Sequence, residues 1–186
     1  QPVNPDFASV VFFGSGEDTN SVLCGFTITG GTGTKLLIPG WPEMRQGGGV
    51  ICLASGAKVC HNIFKGNVIG GSPFCFGGGM VTGPPGFPVP VVIENNVFTK
   101  NEVYGIYSAG GGGLDNYLPG RITNNKFLNN YVHCSMDIAS GGGMGVTNLR
   151  DPSALPMIVY GNEVTHNKTE CTPLDTIGAI SAGMQI

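Results

Sequence analysis

The chain has 186 residues and a net charge of −3; only 11% of its residues are charged, while 32 are glycine and 13 are proline. Its length is that of one domain, residues 1–186, and with no Lys/Arg cluster it lacks the basic footprint of a nucleic-acid partner. No apolar run approaches the roughly 20 residues that span a bilayer.

In chain order, Val10–Phe13 reads as a first short strand, followed by a degenerate repeat at Leu23, Phe26, Ile28 and Gly31. An insertion, Thr32–Gln46, carries the only tryptophan, Trp41, with Pro42, Glu43 and Arg45. From there two phrases alternate. The first is a glycine triplet and an apolar residue, at Gly47–Val50, Gly77–Met80, Gly111–Leu114 and Gly141–Met144, with Ser181–Met184 as a weakened copy. The second is Φ-x-x-N-x-Φ-x-x-N: Val59, Asn62, Phe64, Asn67; then Ile93, Asn96, Phe98, Asn101; then Ile122, Asn125, Phe127, Asn130; then Val159, Asn162, Val164, Asn167. The glycine phrases are 30, 34 and 30 residues apart. A repeat of that length, too short for a domain, is the mark of a stacked solenoid.

Each repeat divides into three short strands. Strand a follows the glycines (Val50–Leu53, Met80–Thr82, Leu114–Asn116, Met144–Thr147, Met184–Ile186). Strand b precedes the first asparagine (Lys58–His61, Val91–Glu94), and strand c surrounds Phe64, Phe98, Phe127 and Val164. Asparagine suits the b-to-c corner because it tolerates left-handed geometry, and stacked asparagines can bond each other along the axis. His61 and His166 fall at turn positions and read as structural.

The repeat resembles the right-handed parallel β-helix of the pectate-lyase-like superfamily, over about Val10 to Ile186. Its F-x-x-N and GGG-Φ phrases are also similar to those of polymorphic outer-membrane proteins, which are autotransporter passengers and adhesins. The expected fold is all-β: a right-handed parallel β-helix of about five coils, three short strands per coil. The resemblance implies a polysaccharide or oligosaccharide partner, a groove along strand a and a secreted or cell-surface location, and it carries no catalytic motif that transfers.

Six cysteines and few charges lean towards an oxidising compartment. Cys24 and Cys60 share one position of adjacent repeats, and Cys134 and Cys171 share another. Strands stacked about 4.8 Å apart allow a disulfide at either pair; reduced, apolar stacking is the alternative. With no C-x-x-C pair and no acidic cluster of calcium-ligand spacing, neither a metal nor a cofactor is expected.

If residues alternate after the glycines, Val50, Met80, Leu114 and Met144 point inward and Ile51, Val81, Asp115, Gly145 and Gln185 outward. Asp115 is then the one charged group on the outer stripe, and Asp137 lies one coil on. A glycosidase needs two carboxyls about 5 to 9.5 Å apart, so Asp115 and Asp137 are the candidate catalytic pair. Trp41, Arg45 and Tyr107 are candidate sugar contacts, and Glu102 and His133, following ladder asparagines of adjacent coils, border one side. A lyase would use an arginine as base, and only Arg45, Arg121 and Arg150 are available. The expected function is a secreted glycoside hydrolase rather than a polysaccharide lyase. The alternative is a noncatalytic adhesin or carbohydrate-binding surface module. Because the chain begins and ends inside the repeat pattern, it is expected to be a fragment or to stack end to end as a homo-oligomer.

Overall fold

The computed structural model describes residues 4–83, 89–147, 156–172, 179–180 and 183–185. All regular elements in these residues are β-strands, and parallel stacking of all but the first hairpin region builds a β-solenoid of about four turns. The phrases suggest about five coils. The count falls because the first copy does not complete a parallel coil: after Ile28 the chain enters an antiparallel hairpin, Gly33–Leu36 against Met44–Gln46.

The predicted strands a, b and c each form a sheet. Sheet a holds Val11–Phe13, Val50–Cys52, Met80–Thr82, Leu114–Asn116, Met144–Val146 and Met184–Gln185. Sheet b runs from Val22–Cys24 through Lys58–Cys60, Val91–Glu94 and Gly120–Thr123 to Met157–Tyr160. Sheet c stacks Thr27–Ile28, Ile63–Lys65, Val97–Thr99, Lys126–Leu128 and Glu163–Thr165. A fourth sheet, d, replaces what the sequence presents as a loop from c to a. It contains the hairpin, Val68–Phe76, Glu102–Gly110, Tyr131–Cys134 with Ile138–Ser140, and Lys168–Cys171 with Ala179–Ile180. Each coil therefore runs through four sheets rather than three. The reason is a second core: Ile69, Val103 and Val132, with the small residues Cys75, Ala109, Cys134 and Ala139, fill the inner face of sheet d.

The main core lies between sheets a, b and c. Phe64, Phe98 and Phe127 stack along the axis with ring centroids 4.4 and 4.8 Å apart, flanked by Val59, Ile93 and Ile122 and by Val50, Met80, Leu114 and Met144.

At the corner between b and c, Asn62, Asn96, Asn125 and Asn162 form a ladder, each side-chain amide donating to the next asparagine's Oδ1 at 3.0–3.2 Å. A second ladder, Asn67, Asn101, Asn130 and Asn167, closes strand c with distances of 2.9–3.0 Å. Each amide also donates to a backbone carbonyl of the preceding coil, as Asn101 does to Phe64 O at 3.0 Å. The left-handed conformation belongs to the residue before each ladder asparagine. His61, Asn95, Asn124 and Gly161 hold it at one corner, and Gly66, Lys100, Asn129 and His166 at the other. The turn and the ladder are thus two positions sharing a task that the sequence assigns to one.

The glycine triplets pack backbone on backbone: a Cβ at Gly112 would lie 2.3 Å from Gly142 O. Among the described residues no helix is long and apolar enough to cross a membrane.

Candidate functional site

The expected groove along strand a is filled. Alternation holds, in that Leu114 enters the coil interior while Ile51, Val81 and Asp115 face away from it. Yet all three are buried. Leu36 and Met44 from the hairpin pack on Ile51 and Val81, with Ile38, Leu53, Phe74 and Tyr117 beside them. The insertion 32–46 therefore acts as a cover, and Trp41, 55% exposed, stands in the segment joining its two strands.

Asp115 is buried beneath Tyr117, whose hydroxyl donates to Oδ2 at 2.9 Å. Glycines shape its pocket: a Cβ at Gly145 would come within 2.5 Å of Oδ1. Burial pushes its carboxyl up to about 6, although the Tyr117 hydrogen bond pulls the other way. Asp137 is exposed and precedes Ile138–Ser140 in sheet d, so the two aspartates belong to different sheets. Arg45 is committed locally, donating through Nη1 to Pro5 O at 2.9 Å and Gly33 O at 3.0 Å, with Nη2 3.7 Å from Asp6. Of the other expected features, Arg150, the segments 84–88 and 148–155 and the side chain of Gln185 lie outside the described residues.

Glu102 and His133 do come together, on the outer face of sheet d. After each second-ladder asparagine, the first and third residues point outward and the second inward. Register gives one outward column of Val68, Glu102, Tyr131 and Lys168, and beside it Tyr104, His133 and Glu170. The Tyr104 hydroxyl donates to Glu102 Oε2 at 2.6 Å, and the Tyr131 hydroxyl donates to Glu170 Oε2 at 2.5 Å. Lys168 pairs with Glu170 and lies 5.9 Å from the Tyr131 ring centroid. The rings of Tyr104, Tyr131 and His133 are 5.7 to 6.4 Å apart, and His133 Nε2 is 3.1 Å from Thr172 Oγ1.

These contacts set the electrostatics of the face. Hydrogen bonding to Glu102 pushes the Tyr104 phenol up to about 12. Desolvation and Glu170 raise Tyr131, while Lys168 and Tyr131 hold Glu170 below the usual carboxylate range. Both phenols are neutral donors at physiological pH, and Tyr131 faces an ionised Glu170. Further along, Ile106 and Tyr107 are exposed where the register against Val68–Phe76 shifts, with the Tyr107 ring 6.0 Å from Phe74.

Sequence reasoning places Glu102, His133 and Tyr107 among the candidate contacts and passes over Tyr104 and Tyr131, which share this face. Their signal is the run after each closing asparagine, Glu-Val-Tyr at 102–104 and Tyr-Val-His at 131–133, an alternation hidden by treating the segment as loop. Comparison with known proteins gives no match to the chain from any family model, curated protein or solved structure.

Proposed function

We propose that the protein is a carbohydrate-binding β-solenoid of the pectate-lyase-like kind, secreted or displayed at a cell surface. It would hold a polysaccharide or oligosaccharide against the outer face of sheet d. The observation that carries this reading is the cluster of Tyr104, Tyr131 and His133 with its paired carboxylates Glu102 and Glu170. Aromatic rings offer apolar faces to the C–H surface of a sugar. Fixed carboxylates accept from its hydroxyls, and few convergent polar groups among aromatics set orientation. The row follows the solenoid axis, as a chain-like ligand requires.

Titration of the protein against a broad panel of soluble glycans, by calorimetry or array, tests the reading. The parent binds at least one class, and Tyr104→Ala combined with Tyr131→Ala weakens that binding tenfold or more. A parent that binds no glycan, or a double variant that binds as tightly, sinks it.

One observation favours hydrolysis as a second reading: a buried carboxyl with its pKa raised to about 6 is what a general acid needs. In that reading Asp115 is the acid and Asp137 its partner, and Asp115→Asn abolishes release of reducing ends from a bound glycan. Release by the variant at the parent rate removes it.

A further inference from the structure

We propose that Cys24, Cys60 and His61 form a binding site for a thiophilic d10 cation, of which Zn²⁺ is the representative, on the outer edge of sheet b. Cys24 and Cys60 are register partners on adjacent strands, Val22–Cys24 and Lys58–Cys60. Leu23 and Val59 take the inward positions, so both cysteines lie on the opposite side of their strands, Cys24 exposed and Cys60 buried. His61 follows directly and turns its ring back onto them, with Nδ1 3.8 Å from Cys24 Sγ. Sulfur, sulfur and one ring nitrogen all lie within 4.8 Å of one another. Tetrahedral zinc with ordinary Zn–S and Zn–N lengths holds such atoms about 3.6–3.8 Å apart, so small side-chain rotations close the set. Cys24 and His61 are exposed, which leaves access for the ion and a fourth position for water.

The corner itself supports the assignment. Its left-handed position is Gly25, His61, Asn95, Asn124 and Gly161 in successive coils. Glycine and asparagine are the residues that adopt this conformation at low cost. Histidine stands in that series only once, directly after Cys60 and one coil on from Cys24. The neighbouring carboxylate does not compete, because Glu94 is held by Lys58 at 2.9 Å and Arg121 at 2.8 Å. Binding Zn²⁺ would then form two Zn–S bonds and one Zn–N bond and release the two thiol protons to solvent. The ligands come from different coils, so no short sequence motif announces them.

Zinc titration of the fully reduced protein against a chromophoric chelator tests the site, with cobalt substitution reporting sulfur ligation through its charge-transfer band. The expected result is one tight equivalent in the parent, at least a hundredfold loss in Cys24→Ser, and about a tenfold loss in His61→Asn. Asparagine already occupies that corner at Asn95 and Asn124, so His61→Asn keeps the fold. Cys171→Ser, which removes one thiol of the other stacked pair, retains the parent affinity. Absence of uptake by the reduced parent overturns the proposal. So does unchanged affinity in both Cys24→Ser and His61→Asn, or a Cys24–Cys60 disulfide that strong reductant fails to open.

Discussion

The corner between sheets b and c and the outer face of sheet d are built from the same coils, yet they spend their residues differently. At that corner and again where strand c ends, each coil contributes an asparagine to a ladder, and between the two ladders three consecutive coils contribute a phenylalanine; the buried groups are satisfied by the coils on either side. On sheet d the inward positions repeat as Ile69, Val103 and Val132, while the outward ones read Val68, then Glu102 and Tyr104, then Tyr131 and His133, then Lys168 and Glu170. Burial forces identity from coil to coil, because a buried amide needs its counterpart at one distance and one angle. Exposure releases that demand. In a solenoid, stability should therefore concentrate where the sequence repeats and recognition where it varies.

The largest test of that division is Phe98→Ala. Phe98 is fully buried between Phe64 and Phe127, so its loss removes the transfer energy of a whole ring and the stacking on both faces. Chemical denaturation should show a loss of about 3–5 kcal/mol. A loss below about 1 kcal/mol would mean that the coils close over the gap and the stack is not the main support. Asn101→Ala comes next. It leaves the Asn67 amide and backbone N–H, Phe64 O and Asn130 Oδ1 each short of a partner. Leaving such groups buried and unpaired costs about 3 kcal/mol in total. A neutral result there would show that water replaces the ladder.

The two regions also differ in how legible they are. The Φ-x-x-N-x-Φ-x-x-N phrase announces the phenylalanine stack, both asparagine ladders and the cysteine registers, because each is a local residue choice repeated at a fixed offset. Cys24 does align with Cys60, and Cys134 with Cys171. What stays hidden depends on another part of the chain. The outward position of Asp115 follows from alternation, but its burial depends on Tyr117 and on a hairpin some seventy residues earlier packing over Ile51 and Val81. Sheet d is hidden for a different reason. Its inner face is lined partly by alanine and cysteine, which carry little periodic hydrophobic signal.

Asp115 breaks the division, as a buried group outside the repeat, and its charge gives a pH test. In the unfolded chain its carboxyl titrates near 3.8, and in the native state near 6. The native state holds the proton more tightly, so the favourable contribution is complete below about pH 4 and is lost as pH rises through 6. A shift of this size corresponds to about 2–3 kcal/mol. The parent should be less stable at pH 8 than at pH 5 relative to Asp115→Asn, which keeps an oxygen for the Tyr117 hydroxyl and cannot ionise. Differencing the two removes the other acids: Glu94, held low by Lys58 and Arg121, contributes in both proteins and loses its share only as pH falls through the carboxylate range. Parallel stability curves for the two proteins would refute a raised Asp115.

The smallest stability effect belongs to the face assigned to recognition. Tyr104 is 40% exposed, and its hydroxyl bonds only Glu102 among the described residues. Its ring sits over sheet d beside Tyr131 and His133 rather than in either core. Tyr104→Ala removes an exposed hydrogen bond and two partial ring contacts, and should cost no more than about 0.5–1 kcal/mol. Tyr104→Phe should cost less still, since Glu102 then turns to water. If carbohydrate binding falls tenfold in Tyr104→Ala while its denaturation midpoint barely moves, the outer face of sheet d is a surface maintained for what it binds. A loss comparable to that of Phe98→Ala would instead make Tyr104 part of the scaffold, and the contrast between corner and face would fail at its central residue.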